Sequence, residues 1–293
     1  MRPWLAHPFV RHLRLHFNVL LSPIYLWGVL LGGGRLLDGG VWLGYLSLHL
    51  FLYGGTTAFN SYYDRDEGPV GGMLEPPSVS PGLLPFSLGV QVLGLPLALL
   101  VGRDFTLAWL LLFLVFTAYS HPSVRLKAHP AGALGAIALG QGALGFSLGW
   151  LAVAPVARLA SVTGLVGMAS TALVVLGLYV VTQSYQTLED RRRGDRTLPV
   201  LLGPRRALRL AVAALGAGGV VMLLELGRRA GVAWVVPVAL FFLMVGGWTL
   251  RWAERFDERQ VERNYRTAMR LAAVSSGGFA AVIVALLGRA LVG

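Results

Sequence analysis

Apolar residues fall into nine runs, roughly residues 17–33, 40–59, 83–101, 105–121, 131–153, 161–182, 207–226, 231–250 and 268–288. Each approaches the ~20 residues a helix needs to cross a hydrocarbon layer. The runs are separated by short polar segments, so the pattern predicts an all-α polytopic membrane protein, a bundle of nine transmembrane helices. Pro23, Pro96 and Pro237 lie inside runs, which is tolerated where neighbouring helices satisfy the freed backbone groups. Gly140-Gln141-Gly142 and Gly216-Ala217-Gly218-Gly219 offer small surfaces for close helix contact. Residues 1–16 read as an amphipathic segment on the membrane surface. Trp4, Leu5, Phe9 and Leu13 supply its apolar contacts, while Arg2, Arg11 and Arg14 face headgroups. No small-residue cleavage site follows the first run, so it does not read as a signal peptide.

Composition agrees, with 55% hydrophobic and 13% charged residues against about 25% charged in soluble domains. The chain lacks cysteine, which excludes disulfides and thiolate metal sites. A net charge of +11 would suggest nucleic acid in a soluble protein. Here the placement of the charges gives another source. With the N-terminus inside, 19 of the 25 Lys and Arg residues fall on the inner side, as expected of cytoplasmic loops. The expectation is an integral, multi-pass protein of the cytoplasmic membrane, N-terminus cytoplasmic, with lipids and no nucleic acid among its partners. Eleven of the 14 acids lie in three loops of the same face. Two of these loops are four spans apart, which suggests one domain over residues 1–293 with two pseudo-halves, about 1–130 and 131–293.

The chemistry concentrates in those loops. In Asn60-Ser-Tyr-Tyr-Asp64-Arg-Asp66-Glu67-Gly68, Asn60 and Asp64 are four apart and Glu67 follows three later, so a continued helix puts all three on one face. In Tyr185-Gln186-Thr-Leu-Glu189-Asp190, Gln186 and Asp190 repeat that spacing with Glu189 beside them. Amide and carboxylate oxygens in such pairs suit Mg²⁺, which is typically held by one or two carboxylates together with substrate phosphates. The competing reading, solvated loop charges, explains one such pair better than two at matching helix ends. The segment Tyr119 to Pro130 holds Arg125 and Lys127, the latter the only lysine of the chain. Its cations offer a phosphate clamp, although anchoring of an inside loop accounts for them as well. His121 and His129 lack zinc-type spacing. The stretch from Arg251 to Arg270, with Glu254/Glu258/Glu262 and Arg255/Arg259/Arg263, reads as a surface helix laced with ion pairs.

These motifs resemble the UbiA superfamily of intramembrane prenyltransferases. The resemblance covers nearly the whole chain. It rests on the nine-helix plan, the NxxxD segment Asn60–Asp64, the YSxPxxRLKxxP segment Tyr119–Pro130 and the EDxxxGxxTLPV segment Glu189–Val200. It implies two acidic motifs that bind Mg²⁺ and the diphosphate of a polyprenyl donor on the cytoplasmic face, and an apolar tunnel for the prenyl tail. Carried over, Asn60, Asp64 and Asp190 match metal-site positions, Arg125 and Lys127 the basic segment, and Tyr119 its aromatic residue. Three carboxylates common in the family are replaced, by Ser61, Gly68 and Gln186.

The expected metal set is therefore Asn60, Asp64, Glu67, Gln186, Glu189 and Asp190, and the diphosphate set Arg65, Arg125 and Lys127. Asp64, Asp190 and Tyr119 are the expected catalytic residues. The expected reaction is Mg²⁺-dependent transfer of a prenyl group to a lipophilic acceptor, an aromatic or quinone precursor. Neutralised diphosphate leaves, and aromatic faces stabilise the allylic cation. Tyr53, Tyr62, Tyr63, Tyr119 and Tyr185 flank the clusters, with Tyr53 read as an interfacial belt residue. A terpene cyclase on the same scaffold, a transporter and a non-catalytic lipid-binding protein remain as alternatives. Against the transporter, no acid falls at mid-span.

Overall fold

The computed structural model describes residues 7–289; Arg2, Trp4 and Leu5 lie outside the described residues. The described chain is all-helical, apart from one isolated β-bridge between Val70 and Met73. Its long helices are α1 (Pro8–Gly32), α2 (residues 39–64), α3 (Leu83–Val101), α4 (Arg103–Ser120), α5 (Pro130–Leu151), α6 (Val162–Arg193), α7 (Pro204–Ala230), α8 (Val232–Glu254) and α9 (Val261–Arg289). Eight of them are long and apolar enough to span a membrane. The remaining one, α2, occupies the second expected span. Its final turns carry Asn60, Ser61 and Asp64 and dilute its apolar character.

Two helices widen locally. Leu46–Leu52 of α2 and Ala138–Leu144 of α5 are π-helical, a form that concentrates at functional sites. Each widened stretch precedes or contains a wall residue of the central cavity, Tyr53 and Gln141 respectively. Where α1 meets α5 the bundle is solid. Gly28 of α1 and Gly149 of α5 lie backbone against backbone, and a Cβ on Gly149 would collide with the Tyr25 carbonyl oxygen. Trp27, Phe146 and Trp150 fill the surrounding core. Because this contact is backbone to backbone, no rotamer change relieves the clash. Gly149→Ala is expected to cost at least the ~1–3 kcal/mol of an overpacked core, read as a lower thermal midpoint in detergent. A wild-type midpoint would refute the contact.

Two local expectations change. The segment before the first span does not float on the headgroups. Leu13 packs with Ala58 and Leu83, the Phe9 ring lies tilted against that of Phe86, and Arg14 is 4% exposed. The chain turns at Arg14 through a left-handed backbone (φ 46°), which carries the guanidinium inward to ion partners. The Arg251–Arg270 stretch is not one helix either. It breaks between α8 and α9, where Phe256 is buried, Asn264 Nδ2 donates to the Asp257 carbonyl, and Arg205 donates to the Phe256 carbonyl. Of the expected lacing, the Glu262–Arg266 pair forms, at 2.6 Å. Burial of the aromatic outweighs the helical charge pattern.

Candidate active site

The C-terminal ends of α2 and α6 and the loop between α4 and α5 converge on one mouth of a cavity of about 710 Å³. The mouth is lined by Arg14, Asn60, Asp64, Asp66, Lys127, Asp190 and Arg193. The far part is apolar, with Ile24, Phe116, Val174, Met222 and Phe279 among its walls. Val220 of α7 and Leu243 of α8 line it too and are 57% and 72% exposed, so the apolar part opens sideways at these helices. Along α6 the lining runs from Asp190 down to Val174, ~24 Å at 1.5 Å per residue.

Lys127 is the hinge of the polar mouth. Its ammonium donates to Asn60 Oδ1 at 2.9 Å and to the Asp64 carboxylate, while Ser120 Oγ donates to the same Asn60 oxygen at 2.7 Å. The sequence suggests a metal pair and a separate phosphate clamp; the fold makes them one hydrogen-bonded unit. Asp66 is the second centre. Arg193 donates to its Oδ1 at 2.8 Å, and Arg14 stands 3.7 Å from its Oδ2, which is buried without a hydrogen-bond partner among the described residues. Arg14 also donates to Ser61 Oγ at 2.6 Å, and its Nε is buried and unpartnered. Asp190 accepts from Thr197 Oγ1 at 3.0 Å. Each carboxylate thus meets a donor, as burial demands, with one buried oxygen and one buried guanidinium nitrogen left without a hydrogen-bond partner among the described residues.

The remaining expected residues are placed as follows. Gln186 lines the cavity and donates to the Pro69 carbonyl at 3.3 Å. Helix α6 continues through a 3-10 turn at Ser184–Gln186 into Thr187–Arg193, so Gln186 and Asp190 stay in register. Helix α2 does not continue past Asp64. Arg65 takes a left-handed conformation (φ 50°) and ends it, so the spacing argument fails for Glu67. Arg65 and Glu67 are exposed and lie outside the cavity lining. Glu189 also lies outside it, paired with Arg193 and accepting from the Glu67 amide at 3.2 Å. Arg125 stands behind the wall, 3.1 Å from the lining residue Asp195. Tyr119 lines the cavity, and so does Tyr53, which is buried at 3% rather than lying in an interfacial belt.

The three replaced carboxylates acquire physical accounts. Ser61 is the acceptor for Arg14. A Cβ at Gly68 would fall 2.8 Å from Glu189 Oε2, so a carboxylate from the other acidic loop occupies that space. Gln186 ties α6 to the loop after α2. The non-glycine residues with positive φ among the described residues are Arg14, Arg65 and Arg125. All three sit at this mouth or next to it. Such backbone costs ~1–3 kcal/mol per residue and clusters at functional sites.

Sequence reasoning missed Arg14, Arg193, Tyr179 and Gln183 as wall residues. For the last two a signal exists. Tyr179, Gln183, Gln186 and Asp190 recur at helical spacing, a polar stripe on an otherwise apolar helix. Arg193 continues that stripe, three residues after Asp190 and four after Glu189, whereas Arg191 and Arg192 fall off it.

Comparison with known proteins agrees with this architecture. The pattern of the UbiA prenyltransferase family matches residues 21–274, and the chain belongs to that family. A UbiA homologue from Archaeoglobus fulgidus solved with DMAPP and Mg²⁺ shares 21% identity, covering 94% of this chain and 99% of the homologue, with a TM-score of 0.63. Its complex with GPP and Mg²⁺ gives 20% identity, the same coverages and a TM-score of 0.64. A structure described as digeranylgeranylglyceryl phosphate synthase gives 14% identity over 94% of this chain and 98% of that one, with a TM-score of 0.63. No curated protein sequence matches the chain.

Proposed function

We propose that the protein transfers a prenyl group from a polyprenyl diphosphate to a lipophilic acceptor, an aromatic or quinone precursor. The reaction depends on Mg²⁺ and takes place at the cytoplasmic face of the cytoplasmic membrane. The observation that carries this reading is the polarity of the cavity, with carboxylates and cations at one mouth and an apolar interior that opens sideways. A diphosphate with a long hydrocarbon tail matches both ends. The structures of related fold were solved with DMAPP, GPP and Mg²⁺, which supports the same ligand class.

The donor set fits Mg²⁺. It consists of hard oxygen atoms from Asn60, Asp64, Asp66, Gln186 and Asp190, and Asp66 presents a buried oxygen without a hydrogen-bond partner among the described residues. Among the described residues no three acids are gathered into a ready cage, as expected of an ion that brings substrate phosphates with it. When bound, Mg²⁺ neutralises the diphosphate and makes it a good leaving group.

The chain supplies the rest. Arg14, Lys127 and Arg193 line the mouth and hold diphosphate oxygens; of the three cations expected from sequence, only Lys127 lies there. Tyr53, Phe116 and Tyr119 present aromatic faces below the mouth and stabilise the allylic cation. The C1–O bond of the donor breaks with its electron pair on the diphosphate. An electron-rich acceptor carbon bonds to C1, and the proton on that carbon leaves through the polar mouth. The test is diphosphate release by purified protein in detergent, with geranyl, farnesyl or geranylgeranyl diphosphate, with Mg²⁺ or EDTA, and with or without phenolic acceptors. Mg²⁺-dependent release that requires an acceptor is the expected result. Release without acceptor, giving a cyclic hydrocarbon, would replace the transferase by a cyclase, and no release under any condition would refute catalysis.

A further inference from the structure

Six of the 25 Lys and Arg residues fall at the end of the bundle opposite the mouth, and four of these gather at one corner. They surround the C-terminal end of α1. Arg229, in the last turn of α7, donates to the Leu30 and Leu31 carbonyls at 3.3 and 3.1 Å. Arg158, in the turn between α5 and α6, lies within electrostatic range of Arg229. It follows Val153, whose side chain fills the space beside Gly32 and Gly34 at the end of α1. Arg289 ends α9 and stands 5.1 Å from the centre of the Trp234 ring, at the start of α8. Arg228 completes the group beside Arg229.

Protein partners account for part of this charge. Arg229 satisfies helix-end carbonyls, which favour a cation through the helix dipole. Glu225 is buried and accepts from Arg228 at 2.9 Å, yet the Arg228 side chain stays 70% exposed. Arg35 in the neighbouring loop is paired with Asp38. Among the described residues no acid pairs with Arg158 or Arg289, and both are exposed. Four guanidinium groups thus share one carboxylate. The general bias of cations toward one face does not explain them, since they gather at the other end.

An apolar track leads away from this corner. Val220, Leu224 and Arg228 follow one another at intervals of four residues and so share one face of α7. Val220 and Leu224 are exposed, and Leu240 and Leu243 continue the exposed apolar surface on α8. Arg228 and Val220 are ~12 Å apart along α7 at 1.5 Å per residue, within the ~15 Å of hydrocarbon in one leaflet. Val220 and Leu243 edge the sideways opening of the cavity.

We propose that Arg158, Arg228 and Arg289 bind the headgroup of an anionic phospholipid, with an acyl chain lying along Leu224 and Val220 toward the opening. Guanidinium forks suit phosphate oxygens. Trp234 supplies the indole that anchors at an interface, and the track supplies the apolar half of the ligand. The site is independent of the reaction at the mouth.

The experiment counts phospholipids retained by the detergent-purified protein in native mass spectrometry, with dioleoylphosphatidylglycerol and dioleoylphosphatidylcholine titrated separately. Each interfacial arginine is worth about a fivefold gain in affinity for an anionic lipid. Arg158→Gln/Arg228→Gln/Arg289→Gln is therefore expected to weaken the tightest phosphatidylglycerol by ~100-fold. Its phosphatidylcholine binding, an index of the folded bundle, should stay as in wild type. The corresponding triple lysine variant keeps the charge and should recover most of the loss. Arg251→Gln/Arg255→Gln/Arg259→Gln, at exposed positions near the mouth end, should leave the tightest lipid in place. Retention of tight phosphatidylglycerol by the first variant would overturn the proposal. So would its loss from the mouth-end variant alone, or equal affinity of wild type for the two lipids. Displacement of the lipid by millimolar glycerol phosphate would identify a soluble anion as the occupant and overturn the lipid.

Discussion

Asp64→Asn is expected to lower Mg²⁺-dependent diphosphate release by about 10²–10³, the usual effect of removing one group that stabilises developing charge. Asp64 ends α2, faces the cavity and binds Lys127. The amide keeps an oxygen for the lysine, so the fold survives and the loss falls on catalysis. The measurement is initial release rate across a Mg²⁺ titration, alongside the thermal midpoint. An equivalent loss is expected for Asp190→Asn, whose partner Thr197 bonds an amide oxygen equally well. Wild-type release from either variant would remove that residue from the site.

Lys127→Met separates two roles that the structure places on one side chain. The lysine holds Asp64 and Asn60 in the protein without substrate, so it competes with a metal ion for the same oxygens. Methionine preserves length and removes the charge. The variant is expected to bind Mg²⁺ at least as tightly as wild type, read by thermal shift in detergent, because a competitor is gone. It should nevertheless release diphosphate ~10²-fold or more slowly, since a cation on the leaving group is lost. Breaking a buried ion pair costs ~3–5 kcal/mol when the remaining charge has no partner, so the midpoint should drop without metal and recover with it. Weaker Mg²⁺ binding together with unchanged turnover would show that Lys127 only anchors the loop.

Much of the lining of the candidate site is legible in the sequence. Asn60, Asp64, Gln186, Asp190, Tyr119 and Lys127 all line the cavity, and they were found by helical spacing and by motif. Glu67, Glu189, Arg65 and Arg125 lie just outside it. For Arg65 and Glu67 the reason is local backbone geometry, whereas Glu189 is held by Arg193 and the Glu67 amide, and Arg125 by Asp195. A left-handed residue ends α2 at Arg65, and an i,i+3 argument has no meaning beyond a helix end. Arg14 was misread for the opposite reason. An arginine before an apolar run ordinarily faces headgroups, and only its ion partner Asp66 and its hydrogen-bond acceptor Ser61, about 50 residues away in sequence, explain its burial.

Hydrophobic run length by itself determined that this is an all-helical membrane protein, because the bilayer sets a length that the chain must match. The motif residues likewise determined the family. Tertiary structure decided which charges share a cavity, because Lys127 and Asp64 are brought together from segments 63 residues apart. It also decided that the three missing carboxylates leave no hole, since Arg14, Glu189 and the Pro69 carbonyl fill or bind their places. Spacing along a chain reports only neighbours on the same helix, whereas the pairing of buried charges depends on contacts between helices.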